Sequence, residues 1–128
     1  MVMDKKELGI RGEEIAAAYL KQNGYKILER NYHNKLGEID IIAEDGPVLC
    51  FIEVKTRADE QRGLPEEAVG KVKQRKISQV VLSYLKMRGI HEGDFRFDVA
   101  AIILNEQANI QRINLIKNAF ELDRQYFI

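Results

Sequence analysis

Apolar residues recur at helical spacing in the first part of the chain. Asp4 followed by Glu7 has the form of a capping box, and Asn23-Gly24 supplies a stop signal. The apolar positions between them form two stripes on roughly opposite sides, Leu8, Ile15, Ala18 and Tyr19 on one and Ile10, Ala17 and Leu20 on the other. The pattern predicts an opening helix with apolar neighbours on two sides, and it places Glu13 in the second stripe.

Strand-like runs replace the helical spacing after this helix. They are YKILERNY from Tyr25, GEIDIIAE from Gly37 and VLCFIEVKT from Val48, and Asp45-Gly46-Pro47 separates the last two. These runs predict one strand followed by a hairpin. The polar segment ADEQRGL (58–64) has no detectable period and is typical of a mobile loop.

A longer helix and two further strands complete the pattern. Pro65 suits a first helical turn, acidic residues follow it, and Val69, Val72, Val80 and Tyr84 roughly keep the helical period up to Gly89. The runs FRFDVAAIIL and ANIQRINLI then read as strands. The order α-β-β-β-α-β-β predicts a single α/β domain over residues 1–128, with a mixed sheet between two helices. The long helix provides a connection of the length that a right-handed crossover between parallel strands needs.

The hairpin places acidic side chains within two apolar strands. If Ala43 pairs with Val48, then Asp40 lies opposite Phe51, and Glu38 lies opposite Glu53. These four residues would share one face with Lys55, while the other face would carry Ile39, Ile41, Cys50, Ile52 and Val54. Asp40 and Glu53 would then be diagonal neighbours about 7 Å apart, close enough for both carboxylates to reach one cation.

The chemistry of this acidic face favours a hard divalent cation. Glu38 and Glu53 in facing positions would repel each other, and oxygen ligands of this kind suit such a cation. Lys55 adds a fixed positive charge, so the set suits phosphoryl chemistry. A solvated sheet face with alternating Glu and Lys is an alternative explanation of about equal weight on spacing alone.

Composition narrows the range of functions. Lys plus Arg and Asp plus Glu both number 20, so the net charge is zero and any site for a polyanion must be a local patch. The only cysteine, Cys50, lies in an apolar run, which excludes a disulfide framework and favours a core position. Charged residues at 4–7 replace the apolar region of a signal peptide, so we expect a cytoplasmic protein.

Four segments of the chain together resemble a known family. GEID (37–40) followed by FIEVKTR (51–57) resembles the signature of the PD-(D/E)XK superfamily, whose fold is restriction-endonuclease-like. The opening helix, RGEEIAAAYLKQNGY (11–25), is similar to that of archaeal Holliday junction resolvases. With VKQRKI and RFDVAAI added, the chain most resembles the bacterial YraN family of uncharacterised nuclease-like proteins, over nearly its whole length.

The resemblance implies a role for each residue of the signature. Asp40 and Glu53 would ligate Mg2+ or Mn2+, Glu13 would complete the acidic site, and Lys55 would orient the attacking water or stabilise the transition state. Ile39 stands where the superfamily usually has proline, a departure that also occurs among resolvase-like members.

Several neighbouring residues have alternative roles. Glu14 is the alternative to Glu13 if the helix has a different phase, and Glu38 is either an extra ligand or a residue that supports the ligands. Asp98 is expected to be structural, since it lies on another strand without an obvious ligand partner. The two histidines are expected to be solvated and are not assigned to a metal.

A basic run follows the loop. Four cations fall within residues 71–76, where Lys71 and Arg75 share a helical face, and Lys73, Lys76 and the earlier Arg57 add to the patch. By the resemblance, Gln74 lies where related nucleases place a polar residue that lines the site. No aromatic residues are interleaved, so the run favours contacts with the phosphate backbone over base reading.

These observations predict a metal-dependent DNA endonuclease that acts by hydrolysis, structure-selective or nonspecific, and the resemblance implies a 5′-phosphate product. DNA is the expected partner, and a homodimer is expected if the substrate is a junction that needs two cuts. One alternative is a nucleic-acid-binding module that keeps the fold without turnover. The other is an interaction protein whose acidic face binds a partner.

Overall fold

The strands of the protein lie side by side in one mixed sheet. The computed structural model describes residues 3–58 and 70–121. The elements within this part are α1 (Lys5–Gln22), β1 (Lys26–Asn34), β2 (Gly37–Asp45), β3 (Val48–Arg57), α2 (Lys71–Met87), β4 (Asp94–Leu104) and β5 (Ile110–Ile116). The sheet order is β1-β2-β3-β4-β5, and β3 and β4 are parallel while the other neighbours are antiparallel. The predicted α/β order and the parallel crossover through the second helix are confirmed.

The two helices cover opposite faces of this sheet. On one face, Ile15 and Leu20 of α1 pack in a cluster with Ile41 and Ile52. On the other face, α2 packs over Phe51, and the cluster there contains Ile39, Ile42, Ile77, Val80, Val81, Tyr84, Leu85 and Phe97. Because successive side chains of a strand point to opposite faces, β2 and β3 supply apolar residues to both clusters.

Helix α1 begins and ends where the sequence predicts. The Asp4 side chain accepts a hydrogen bond of 2.8 Å from the Glu7 backbone N–H, and Gly24 ends the helix with φ 87°. The prediction of two apolar contact sides is wrong, because Ile10 is 50% exposed and Ala18 is exposed. The helix lies on the sheet alone, so only one broad side of it is buried, comprising Gly12, Ile15, Ala16, Ala17 and Leu20.

Helix α2 begins at Lys71, after Gly70 in an extended conformation, and ends before Gly89 with φ 66°. The predicted first turn at Pro65 and most of the predicted loop lie outside the described residues. Val72 was expected on the apolar side, yet it is 69% exposed. The buried side of α2 begins only at Ile77, where the helix meets the sheet. Neither described helix combines the length and the apolarity of a membrane-crossing segment.

The hairpin register differs from the prediction by two residues. Asp45 pairs with Val48 and Ala43 with Cys50, so the predicted pair of Ala43 with Val48 is wrong. The turn is a two-residue turn, and Gly46 supplies the positive φ of 58° that such turns require. A shift by an even number of residues leaves the pleat-facing side chains on their original faces, so the hydrophobic pattern fits both registers equally well.

The regular alternation of β2 is interrupted around Asp40. Ile39 was expected on the same face as Ile41, but it packs in the α2 cluster, whereas Ile41 packs in the α1 cluster. Between the pairs Arg30–Ile41 and Tyr32–Ile39, Asn31 of the neighbouring strand has φ 54°. The change of face in β2 therefore falls at Asp40, the residue on which the predicted site depends.

Candidate active site

Strands β2 and β3 separate at the position of the two predicted acidic ligands. Their pairing ends at Ile41–Ile52, although β2 extends back to Gly37 and β3 onward to Arg57. Asp40 and Glu53 are the first residues beyond this last pair. The Asp40 carboxylate accepts a hydrogen bond of 2.8 Å from the Val54 backbone N–H, so a side chain takes the place of a strand-to-strand acceptor. The separation therefore opens the sheet while it keeps Asp40 attached to β3.

The environment of Asp40 opposes its ionisation. Burial raises the pKa of Asp40 to about 7, and the charge of Glu53 adds to the rise, while the Val54 hydrogen bond opposes it. The charges of Glu13 and Glu38 raise the pKa further. A carboxyl group that lies among other acids in a partly desolvated place is a typical candidate for a functional site.

Gly12 brings helix α1 close to β3. A Cβ atom at Gly12 would lie 1.8 Å from Thr56 Oγ1 and 2.8 Å from Thr56 Cβ. Only a residue without a side chain fits this contact, and the contact positions Glu13 beside the open end of the sheet. Gly12 was not among the predicted site residues. The signal was present, because glycine within a helix costs about 1 kcal/mol relative to alanine and therefore needs a packing reason.

Glu13, not Glu14, faces the other acids. Burial raises the pKa of Glu13, and the charges of Glu38 and Glu53 add to the rise, while Arg30 opposes it. The Oε1 atom of Glu13 is buried and has no hydrogen-bond partner among the residues that the structure describes. Glu14 is exposed.

Two lysines surround the carboxylate of Glu53. Lys55 Nζ lies 3.5 Å from Glu53 Oε1, and Lys73 Nζ of α2 contacts the same oxygen at 2.5 Å. Burial lowers the pKa of Lys55, and the adjacent ammonium group of Lys73 lowers it further. For Lys73, burial alone would lower the pKa, but the hydrogen bond to Glu53 raises the pKa above the usual value. Lys73 was expected on a phosphate-binding patch, and the structure places it at the acidic site itself.

The other predicted residues lie around the three acids Glu13, Asp40 and Glu53 and differ in their exposure to solvent. Glu38 is exposed and acts on the centre through its charge, as its effect on the pKa of Glu13 and Asp40 indicates. Arg57 and Gln74 are half-buried. The exposed cations at the start of α2 are Lys71, Arg75 and Lys76.

The donor set fits a divalent cation in its chemistry. The observations that favour the fit are the unpartnered, buried Oε1 of Glu13 and the raised pKa of Asp40 beside Glu53, because a cation would relieve both. Within residues 3–58 and 70–121, however, no three His, Cys, Asp or Glu side chains stand as close together as in a preformed metal cage. Lys73 and Lys55 balance Glu53 in this arrangement.

Asp98 belongs to a different cluster. Arg96 donates to both of its oxygens at 2.8 and 2.9 Å, Tyr25 Oη donates at 3.2 Å and the Asn118 backbone N–H at 3.0 Å. The arginine also donates to Asp45 at 2.8 Å. These contacts agree with the structural role that was expected for Asp98.

Comparison with known proteins identifies the family. The family model described as "Uncharacterised protein family UPF0102" matches residues 12–102. A UPF0102 protein of Syntrophus aciditrophicus (strain SB) is 50% identical over 114 residues, which cover 89% of this chain and 88% of the relative. One from Geobacter sulfurreducens is 49% identical over 118 residues, 91% of each chain, and one from Clostridium botulinum (strain 657 / Type Ba4) is 50% identical over 118 residues, 91% and 96% of the two chains. The YraN family that the sequence resembles is this same family. The chain therefore belongs to the uncharacterised family UPF0102.

Proposed function

We propose that the protein is a metal-dependent endonuclease that hydrolyses phosphodiester bonds in DNA. One observation carries the proposal. Where β2 and β3 separate, Asp40 and Glu53 stand next to the last strand pair, with Lys55 at 3.5 Å from Glu53 and with Glu13 from α1 near enough for its charge to act on Asp40. Carboxylates that repel one another can bind a divalent cation, and a neighbouring ammonium group can contact a phosphate that the cation also binds.

The acids would hold the ion, and the lysine would act on the phosphate. Asp40, Glu53 and Glu13 are the residues that would bind Mg2+ or Mn2+. When bound, such an ion polarises a phosphate oxygen and makes a coordinated water more acidic. The backbone of Lys55 is held in place because β3 still pairs with β4 at Lys55–Ala101. Its ammonium group would offset the charge that develops on phosphorus.

The bond changes define the products. The oxygen of a water molecule forms a new bond to phosphorus, and the bond between phosphorus and the 3′ oxygen breaks. The water loses one proton and the leaving 3′ oxygen gains one, which gives a 5′-phosphate and a 3′-hydroxyl.

Charges beyond the centre would position the nucleic acid. The exposed cations at the start of α2 and the half-buried Arg57, whose buried Nε has no hydrogen-bond partner within the described ranges, supply donors for backbone phosphates. Gln74 lies on the same helix turn and would line the substrate side. With no aromatic stacking residues in the basic run, the substrate would be selected by its shape. Resolution of a junction by two cuts would favour a homodimer.

A second candidate function is a binding module of the same fold that does not turn over. The observation in its favour is the ion pair between Lys73 and Glu53, together with the lack of a preformed three-ligand cluster in the described part of the chain. A protein that keeps its acids neutralised by lysine could bind DNA through the basic residues of α2 alone.

Cleavage assays on matched substrates test the proposal. Linear, flapped and four-way branched DNA are incubated with wild type, Asp40→Asn and Glu53→Gln in Mg2+ or Mn2+, with EDTA as the blank. We expect wild type to cleave at least one substrate and each variant to lose about a thousandfold or more in rate, because a ligand is removed. Circular dichroism checks that the variants fold. Wild-type binding to DNA without cleavage of any substrate would favour the binding module, and unchanged cleavage by Asp40→Asn would refute the site.

A further inference from the structure

The two lysines at Glu53 are attached to the protein in different ways. Lys55 stands two residues from Glu53 on the same strand, and its side chain is 23% exposed. Lys73 reaches Glu53 from the first turn of α2, and its side chain is 40% exposed while that of Glu53 is only 12% exposed. Lys73 is therefore the partner that can leave toward solvent without moving the sheet.

The ion pair between Lys73 and Glu53 balances a charge that is shielded from water. Glu53 is largely shielded from water and lies near Asp40, so it needs a cationic neighbour whenever no metal ion is present. Lys73 meets this need through the shorter of the two contacts. A divalent ion at Glu53 would compete for the same oxygen and would repel the ammonium group.

We infer that Lys73 is a tethered counter-ion of Glu53 that metal binding displaces and that then becomes free to contact a substrate phosphate. The inference rests on the proposed function, because it requires the acids to bind a divalent ion. It assigns Lys73 a role at the acidic site, distinct from that of the exposed cations Lys71, Arg75 and Lys76 of the same helix. Without metal, Lys73 would neutralise the charge of Glu53. When metal binds, its ammonium group would be released toward the nucleic acid.

Because Lys73 and a metal ion would compete for Glu53, removing the lysine should strengthen metal binding. Replacing Lys73 by a neutral residue of similar length should increase the affinity for Mn2+, because no ion pair must then be broken and no like charge remains. Removing one partly exposed ion pair predicts binding about two- to fivefold tighter. Lys73→Arg should bind Mn2+ like wild type because it keeps the charge.

The experiment measures Mn2+ binding by calorimetry, without DNA, for wild type, Lys73→Met, Lys73→Arg and Lys86→Met. Lys86→Met is the matched control, since it removes the same charge from the exposed last turn of the same helix. We expect tighter binding only in Lys73→Met. Thermal unfolding provides a second readout, because Lys73→Met should unfold earlier than wild type in EDTA and gain more from Mn2+.

Magnetic resonance observes the displacement directly. When Mg2+ is added, the side-chain ammonium or methylene signals of Lys73 should shift, and those of Lys86 should not. If wild type binds Mn2+, Asp40→Asn abolishes that binding and Lys73→Met binds no more tightly than wild type, the role of Lys73 is refuted while the metal site stands. If wild type binds no Mn2+ at all, the metal site fails and the inference fails with it.

Discussion

Asp98 and Asp40 are two carboxylates of the same sheet with opposite surroundings. Asp98 on β4 is 1% exposed and receives four hydrogen bonds within the described residues, two of them from the guanidinium group of Arg96. Asp40 on β2 receives one described hydrogen bond, from Val54, and its charged neighbours include three acids. A buried carboxylate with a full set of hydrogen-bond donors is compatible with a stable fold. A buried carboxylate among like charges lowers the stability of the fold and is therefore a candidate for function.

The cations that contact these two acidic clusters also differ. Arg96 is 17% exposed and reaches both Asp98 and Asp45 through its planar donor group, so it is fixed in one geometry. Lys73 makes a single-point contact to Glu53 from a more exposed position. Fixed arginine contacts suit a structural cluster, and an exchangeable lysine contact suits a site that takes up a ligand.

Changing Asp98 to Asn should produce the largest loss of stability. The substitution removes the buried one of the two carboxylates that pair with Arg96 and turns one acceptor into a donor that faces other donors. We expect the free energy of unfolding to fall by about 3 to 5 kcal/mol, as is usual when one partner of a buried ion pair is removed. Urea unfolding at pH 7 measures it. A loss below about 1 kcal/mol would show that the cluster is dispensable.

The same substitution at Asp40 should have the opposite sign in the metal-free protein. Because its folded pKa of about 7 lies above the ordinary 3.8, ionising Asp40 destabilises the folded state, and the penalty grows as the pH rises from about 4 to 7 and is then constant. Asp40→Asn removes the penalty and keeps an acceptor for Val54. We expect a gain of about 2 to 4 kcal/mol at pH 8 and a smaller gain at pH 5, in EDTA.

Unfolding curves of wild type and Asp40→Asn at both pH values test this expectation. The control is Glu14→Gln, because Glu14 is the exposed neighbour of Glu13 and its removal should leave stability nearly unchanged. A gain that is equal at pH 5 and pH 8 would contradict the raised pKa, and a loss at pH 8 would show that Asp40 stabilises the fold as Asp98 does.

Gly12 should give the smallest of the three effects. Gly12→Ala places a methyl group against Thr56 and forces α1 away from β3, so we expect a loss of about 1 to 3 kcal/mol and weaker Mn2+ binding as Glu13 moves away. Gly9→Ala is the matched control, since nothing lies within 4 Å of a Cβ there, and alanine in the same helix should stabilise by about 1 kcal/mol. Equal effects of the two substitutions on thermal unfolding would refute the close contact as the reason for Gly12.

The fold could be predicted because its signals are local. Asp4 caps the first helix, Gly89 follows the second, and the strand runs are rich in apolar residues, so each element is fixed by neighbours in sequence. The geometry of the site was more difficult to predict from the sequence. Asp40, Glu53 and Lys55 were identified from a motif, but the hairpin register that relates them was wrong by two residues, because an even shift leaves the hydrophobic pattern unchanged.

Two features of the site had no usable local signal. The side chain of Lys73 is found at Glu53 because α2 crosses the sheet at that point, and nothing in the run KVKQRK distinguishes it from the exposed Lys71 or Lys76. The change of face around Asp40, which places Ile39 in the α2 cluster, lies beside Asn31 of the neighbouring strand β1, where φ is 54°.

The sequence by itself determined the order of elements, the parallel crossover, the family and the acidic residues that carry the candidate chemistry, because periodicity, caps and motif spacing are properties of neighbouring residues. Only the tertiary structure decided where β2 and β3 separate, which glutamate of α1 faces the opening and which lysine neutralises Glu53. These choices depend on distances between elements far apart in the chain, and such distances are set by packing across the sheet.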